Sequence, residues 1–459
     1  MKVYRWIIAV AGMGLLATGC VHVSEPDEGM LSVAVPDQWG GTSEAGHPDG
    51  WIADFRDPQL EVLVGEALAE NLQLQGAVAR LDQAMALARI EGAERWPTLS
   101  LSGSARRQMS NTLSEPLIRT RSDRFGLEAV ASWEVDLWGR VRAASEAAAS
   151  EALAAVSDYR GIRLSLASRV AQAWFTAIEA GLQEALARET VASFESNLAT
   201  VEERFQRGLS PALDLRLTRA NVASARSTLA LQERLADTAV RQLEVLLGRY
   251  PSGGMEIGAK LPGLEEAIPA GLPSELLGRR PDIQASARRL MATDARLLES
   301  QRALLPSINL TGSYGRASRD LDDLLENSFD VWSLVGGLTA PLFQGGRLRA
   351  NVDRSEAALA EALATYRETV LTAFREVETA LAGEVYLRLQ LEALERAAEE
   401  SIGAQELAEE RYSRGLVDII TVLESQRRAF NSRSAVLTAE SFLLQNRLSL
   451  YLSLGGDLR

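Results

Sequence analysis

Residues 140–205 have the sequence RVRAASEAAASEALAAVSDYRGIRLSLASRVAQAWFTAIEAGLQEALARETVASFESNLATVEERF, in which Gly161 and Gly181 are the only glycine or proline residues. Alanine, leucine, arginine and glutamate dominate this tract, and these residue types favour a helix interior. The sequence therefore predicts one almost unbroken helix. At 1.5 Å per residue it would be roughly 100 Å long, about three times the width of a small domain. Such a helix cannot belong to a compact globule, and it must span something.

Two adjacent apolar stripes run along the predicted helix, each with the three-and-four spacing of one helix face. A helix of this kind packs against a neighbour on each side and keeps the charged residues between the stripes in water. A long coiled-coil rod is the simpler interpretation of this tract alone, and it stays open at this point. The stripes are Ile162, Leu166, Val170, Ala173 and Ala177, and Leu164, Ala167, Ala171, Phe175, Ile178 and Leu182.

The composition of the 459 residues is ordinary for a helical protein, with 46% hydrophobic and 24% charged residues. A net charge of −14 and the lack of a basic stripe argue against a nucleic-acid partner. Both histidines, His22 and His47, lie near the N-terminus, and no nucleophile elbow, phosphate loop or metal-ligand spacing is present. We therefore expect neither an enzyme nor a metal or cofactor.

The N-terminus has the features of a processing signal. Lys2 and Arg5 precede the apolar run 7–16, and Leu16-Ala17-Thr18-Gly19-Cys20 follows it. This pattern resembles a bacterial lipoprotein signal, which implies removal of residues 1–19 and a covalent lipid on Cys20. Cys20 is the only cysteine and has no disulfide partner in the chain, although an ordinary secretory signal remains the alternative. Val21 in place of aspartate favours, by the same resemblance, delivery to the outer membrane.

Residues 20–57 are rich in glycine, proline and acidic residues, and they predict an extended tether along the body. Pro58 is predicted to open an amphipathic helix that runs to Trp96 and is stopped by Pro97.

After Pro97 the apolar period changes to two, which predicts a pair of strands. The returning strand carries Glu128, Glu134 and Asp136 opposite its apolar residues, and this arrangement predicts a wet face and a lipid-facing side. The apolar positions are Leu99, Leu101, Gly103 and Ala105, and Phe125, Leu127, Ala129, Ala131, Trp133, Val135 and Leu137.

The long helix is predicted to end at Arg207-Gly208-Leu209, where Gly208 can adopt the left-handed conformation. Ser210 is predicted to be the N-cap of the return helix, and Pro211 its first residue. The return helix runs to about Leu247, and residues 248–272 form a linker rich in proline and glycine.

The same plan then repeats. The first repeat covers residues 58–247 and the second residues 273–455, with a tail at 456–459. A constant offset of 207 positions indicates an internal duplication. The equivalent pairs are Gly139 and Gly346, Arg140 and Arg347, Arg207 and Arg414, and Gly208 and Gly415.

Two β-hairpins give four strands, whereas a membrane barrel needs about eight or more, because an open sheet edge in lipid leaves backbone groups unsatisfied. One chain therefore cannot close a barrel. Two copies would give eight strands with a filled lumen, and three would give twelve strands with room for a passage.

Five stretches look like family signatures: WEVDLWGR at 133–140, GLPSELLGRRPDI at 271–283, PSINLTG at 306–312, PLFQGG at 341–346 and LGG at 454–456. With them the sequence resembles the TolC-like outer-membrane factors, and most closely their lipoprotein branch in tripartite RND-type efflux systems. One departure is Leu304-Leu305 before Pro306, where an aromatic residue is common.

The resemblance implies a mainly α-helical protein with an internal twofold repeat. It implies a homotrimer whose twelve-stranded β-barrel lies in the outer membrane and continues as a long α-helical barrel in the periplasm. Partners would be outer-membrane lipid, a periplasmic adaptor protein and an inner-membrane pump. The function would be a passive exit duct for small molecules. A protein-secretion channel of the same family and a lipid-anchored coiled-coil adaptor are the alternatives.

By resemblance, the two helical turns would dock the adaptor. Their residues are Arg207, Gly208, Leu209 and Ser210, and Arg414, Gly415, Leu416 and Val417. Asp418 follows the second turn, and three copies of it could form a gating ring at the entrance, or it could simply cap the last helix. Arg279 and Arg280 are expected to have a structural role rather than to form an anion site.

Overall fold

The computed structural model describes residues 35, 36, 38–40, 50–112, 118–264, 271, 273 and 275–456. The predicted signal and Cys20 lie outside these residues. The described residues form two compact units, one of residues 81–155 and 285–366 and the other of residues 33–80, 156–284 and 367–459. The main elements are α1 (Pro58–Glu70), α2 (Leu72–Ala93), β1 (Thr98–Thr112), β2 (Ile118–Glu134), α3 (Arg140–Gln206), α4 (Ala212–Leu246), α5 (Glu275–Arg279), α6 (Pro281–Arg302), β3 (Ser307–Ser318), β4 (Asp330–Thr339), α7 (Arg347–Ser413) and α8 (Ile419–Ser453).

The helical hairpins repeat in length as well as in sequence. Helices α3 and α7 each have 67 residues, and α4 and α8 each have 35. Each second-half helix begins 207 positions after its counterpart, as an internal duplication predicts. The prediction of one unbroken helix from Arg140 is confirmed. None of the helices in the described ranges is both long enough and apolar enough to cross a bilayer.

The helix predicted from Pro58 to Trp96 is broken at Asn71, so that prediction is wrong. Asn71 has an extended backbone, and its Oδ1 accepts the N–H groups of Gln73 and Leu74 at 2.9 and 3.2 Å. Its Nδ2 donates to the carbonyl of Leu246 at 2.8 Å. An asparagine side chain competes with the helix for backbone groups, and here it caps α2 instead of continuing α1.

The segment just before α1 belongs to the core rather than to an extended tether. Trp51 and Phe55 are completely buried, and the ring of Trp51 stacks on that of Tyr451 at 5.8 Å. The hydroxyl of Tyr451 donates to Asp54 at 2.7 Å. Asp57 caps α1 through Gln59 and Leu60 and also accepts from the indole of Trp174 at 2.7 Å. Residues 50–57 therefore tie the start of the first repeat to the last helix.

The four strands form one antiparallel sheet in the order β1-β2-β3-β4. Across the sheet Leu101 lies opposite Ala129, Ala129 opposite Tyr314, and Tyr314 opposite Trp332. This register places the predicted apolar positions of all four strands on one face, and polar pairs such as Ser102 and Glu128 on the other. The predicted alternation is thus confirmed. The large apolar residues exposed on that face include Leu99, Leu101, Leu127, Leu310, Tyr314, Trp332, Leu334 and Leu338.

The junction of β2 and α3 differs from the predicted strand. β2 ends at Glu134, and Asp136 accepts the backbone N–H groups of Val141 and Arg142 at 3.2 and 2.8 Å. Glu134 forms an ion pair with Arg140 at 2.8 Å. Two of the three acidic residues assigned to the wet face therefore stabilise the start of the long helix, where a negative charge is favourable.

Arg280 is buried and fully engaged by the protein. Its guanidinium donates to Asp282 and Glu376 at 2.7 Å each and to the carbonyl of Ser453 at 3.1 Å. The structural role expected for Arg280 is confirmed, because its charge is neutralised by carboxylates of the same chain.

A second buried ion pair supplies a stability prediction. Arg447 and Glu384 are only 2% and 3% exposed, and their charged atoms lie 2.6 Å apart. Glu384→Gln leaves a buried guanidinium without its counter-ion, so we expect the free energy of unfolding to fall by about 3–5 kcal/mol. Glu392→Gln removes an exposed partner of Arg396 on the same helix and should cost less than about 1 kcal/mol. Denaturant unfolding of both variants checks this, and equal losses would contradict it.

Candidate functional site at the turns of the helical hairpins

The two helical hairpins turn through the same backbone motif. Gly208 and Gly415 have φ angles of +75° and +73°, which only glycine adopts readily. The N–H of Leu209 donates to the carbonyl of Arg204 at 2.8 Å, and that of Leu416 donates to Arg411 at 2.9 Å. These bonds satisfy carbonyls at each helix end. The predicted left-handed turns are confirmed at both positions.

Each turn presents an apolar side chain to solvent. Leu209 is 67% exposed and Leu416 is 69% exposed. The arginines beside them are held back along their helices, because Arg207 pairs with Glu203 and Arg414 pairs with Glu410. What the turns offer to a partner is therefore mainly a leucine beside an open glycine.

The four helix ends beneath the turns share one apolar core. Val201 of α3, Leu215 of α4 and Val422 of α8 are buried in it, and Val417 packs against it. The guanidinium of Arg204 lies 4.8 Å from the ring centre of Tyr412 and donates to its carbonyl at 3.3 Å. The two turns are thus carried on one packed support.

Polar contacts extend the join between the hairpins along the helices. Arg433 of α8 donates two bonds of 2.8 Å to Glu189 of α3, and this ion pair lowers the pKa of the Glu189 carboxyl. The amide of Gln426 donates to Ser193 and Glu409 at 2.9 Å each. Sequence analysis missed these contacts; the three-and-four spacing of the apolar residues marks the packed faces but not which helices meet.

The starts of the two return helices differ. Ser210 was predicted to be the N-cap of α4, but Pro211 occupies that position and makes no side-chain cap, so the prediction is wrong. In the second hairpin Asp418 is the N-cap of α8, and its Oδ1 accepts from the backbone N–H and the hydroxyl of Thr421 at 2.8 and 2.7 Å. Proline has no side-chain acceptor, which explains the difference.

The cap geometry also sets the charge of Asp418. The side-chain and backbone hydrogen bonds from Thr421 lower the pKa of its carboxyl, so the group is ionised at neutral pH. A lowered pKa in the folded state means that the contribution of the cap to stability is present above the usual pKa of aspartate and is lost as the pH falls through the lowered value. Over the described ranges, no three His, Cys, Asp or Glu side chains are placed to hold a metal ion.

Comparison with known proteins decides the family. The model of the family described as Outer membrane efflux protein matches residues 63–249 and 272–456, one range in each half of the duplicated plan. The chain belongs to the outer membrane efflux protein family. It is therefore an efflux protein of the outer membrane, in a family of transport proteins rather than enzymes.

Individual members of the outer membrane efflux protein family agree over most of their length. The chain is 34% identical over 405 residues to the solvent efflux pump outer membrane protein SrpC of Pseudomonas putida, covering 88% of this chain and 86% of SrpC. It is 31% identical over 452 residues to the cation efflux system protein CusC of Escherichia coli K12, covering 97% and 98%. The outer membrane channel CmeC of Campylobacter jejuni has the same fold, with a TM-score of 0.87, 26% identity and coverage of 95% and 94%.

The turn geometry gives a direct prediction. A Cβ at position 415 would meet no atom within 4 Å, so a substitution there tests the backbone conformation alone. Asparagine tolerates a positive φ, whereas a β-branched residue is a genuine outlier there. We expect Gly415→Val to lower the free energy of unfolding by about 1–2 kcal/mol relative to Gly415→Asn. Urea unfolding checks this, and identical midpoints and slopes for the two variants would contradict the left-handed turn.

Proposed function

We propose that three copies of this efflux protein form the exit duct of a tripartite pump. Each copy would contribute four strands to a twelve-stranded barrel in the outer membrane, and its helices would continue as an α-helical barrel in the periplasm. The observation that carries this proposal is the sheet. It presents one continuous apolar face, and its outermost strands, β1 and β4, have no further strand paired with them within the described residues.

Backbone groups at a sheet edge have no water to bind inside a bilayer, so both edges must pair with another strand. Strand β1 of one copy is antiparallel to strand β4 of the next in a closed ring of such sheets, because the four strands alternate in direction. Three copies give twelve strands, which leaves an open passage, whereas two give eight and a filled lumen. This is the reason to favour the trimer.

We propose small molecules as the cargo. SrpC is a solvent efflux protein and CusC a cation efflux protein by name, and both are similar to this chain over most of its length. A duct that exports proteins is the alternative, since an open passage does not select against them by itself. A coiled-coil adaptor is disfavoured, because this chain alternates two strand pairs with two helical hairpins.

The docking of a periplasmic adaptor, and through it of an inner-membrane pump, is proposed for the two turns. Leu209→Ser combined with Leu416→Ser removes both exposed apolar side chains without touching the core beneath them. In cells that depend on this protein for efflux, we expect drug resistance to fall to that of a strain lacking the gene. Site-specific cross-linking from the turns to the adaptor should be lost in parallel.

The matched control for this experiment is Leu213→Ser combined with Ile420→Ser. These residues are also exposed, 61% and 50%, are related by the same 207-residue offset, and lie one helical turn past the leucines of the docking test. The control should keep resistance and cross-linking. Normal resistance in the Leu209 and Leu416 variant, with the trimer present in the membrane, would reject docking at the turns.

A gating ring of three Asp418 carboxylates is proposed in addition to the helix cap. Asp418→Asn separates the two roles, because asparagine caps a helix as well as aspartate does but carries no charge. If the ring exists, planar-bilayer recordings of Asp418→Asn should show higher conductance and weaker cation selectivity. Asp214→Asn is the control, since Asp214 lies in the first turn of the other return helix. An unchanged reversal potential and conductance in Asp418→Asn would leave Asp418 as a cap only.

The lipid anchor on Cys20 is proposed from the signal sequence, since Cys20 lies outside the described residues. Cys20→Ser should abolish labelling of the protein by a fatty-acid analogue in growing cells. Trimers should still form, because the proposed assembly depends on strand pairing and not on the lipid. Undiminished labelling of the variant would reject this site.

A further inference from the structure

The first β-hairpin carries a cluster of arginines just beyond its apolar band. Strand β1 contains Arg106 and Arg107, and β2 contains Arg119, Arg121 and Arg124. The register assigns each of them to a face. Arg107 lies opposite Asp123, next to the pair of Ala105 and Phe125 two positions away, so it shares their apolar face; Arg106 lies opposite Arg124 on the other face.

Arg121 and Arg119 continue the same outward face as Phe125, at successive steps of two residues along β2. They lie opposite Met109 and Asn111. The outward face of the first hairpin therefore carries three arginines, Arg107, Arg119 and Arg121, which are all exposed. We call these three residues the outer arginine patch.

The length of the apolar band places the outer arginine patch at a membrane boundary. From Trp133 to Phe125 the outward face of β2 is apolar over nine residues, or about 30 Å along the strand at about 3.4 Å per residue. With the usual strand tilt of about 40°, this corresponds to a height close to the roughly 25 Å apolar belt of membrane barrels. The patch begins immediately after the band ends, where lipid head groups lie.

The patch keeps a positive charge after its internal ion pair is considered. Asp123 accepts from Arg107 at 2.9 and 3.2 Å and from Arg121 at 3.5 Å, so three arginines share one carboxylate. On the same face of the second hairpin Arg316 is matched by Asp330 at 2.9 Å. The excess of positive charge is thus confined to one of the two hairpins.

We propose that the outer arginine patch binds the phosphate groups of an anionic lipid in the outer leaflet of the outer membrane. Guanidinium groups form bidentate, charge-assisted hydrogen bonds with phosphate, and the neighbouring apolar face accommodates acyl chains. Asp123 holds Arg107 and Arg121 extended along the sheet. The inference rests on the proposed membrane barrel, in which the helices lie on the periplasmic side and the patch lies on the outer side.

Lipid-dependent stability of the full-length protein tests the proposal. The wild-type assembly is reconstituted in phosphatidylethanolamine vesicles, with or without added diphosphoryl lipid A, and its thermal unfolding is measured. We expect the phosphorylated lipid to raise the unfolding temperature of the wild type. In Arg119→Gln combined with Arg121→Gln, this gain should fall by more than half.

The opposite face of the same hairpin provides the control. Arg106→Gln combined with Arg124→Gln removes two charges from neighbouring positions of the same strands, but from the other face, and should keep the full gain. An equal gain in all three proteins, or an equal loss in both variants, would overturn the proposal. So would an equal gain from soluble pyrophosphate, because the ligand would then be a free anion and not a lipid.

Two further readings separate this proposal from others. If Arg119→Gln with Arg121→Gln dissociates the assembly in lipid-free detergent, the arginines bridge copies of the chain and the lipid proposal is overturned. Planar-bilayer conductance of the same preparations tests the duct independently. A conducting protein without a lipid-dependent gain would reject only the patch, whereas a non-conducting wild type would reject the proposed function.

Discussion

Backbone hydrogen bonding at the edges of the sheet is the constraint on which the proposed assembly depends. Strands β1 and β4 are the outermost strands of the sheet in the described part of the chain, and the sheet exposes an apolar face. Polar backbone groups at a lipid-exposed edge would each cost several kcal/mol. The edges therefore need strands from other copies, and a chain that folds alone would be incomplete in a membrane.

The internal duplication accounts for the regularity of the helical part and for its one functional asymmetry. Both hairpins have helices of 67 and 35 residues and turn through a left-handed glycine. The return helices begin differently, with Pro211 in the first hairpin and the capping Asp418 in the second. Duplicated scaffolds thus leave single positions free to diverge, and the charge at Asp418 exists in only one of the two turns.

Much of this structure could be predicted from periodicity and punctuation. The change of apolar period at Pro97 marked the strands, and the offset of 207 positions marked the repeat, because both signals are local or simply additive along the chain. The break at Asn71, the burial of Trp51 and the contact of Arg204 with Tyr412 could not be predicted. Each depends on a partner distant in sequence: the carbonyl of Leu246, the ring of Tyr451 and the second hairpin. Ser210 failed as a cap because the adjacent proline took the cap position.

The number of copies in the assembly tests the central claim most directly. Native mass spectrometry of the full-length protein, released from the outer membrane in mild detergent, measures it without reference to cargo, adaptor or pump. Closure of a twelve-stranded barrel from four strands per chain predicts a single dominant mass of three chains. A monomer, or a dimer with eight strands, would contradict the account.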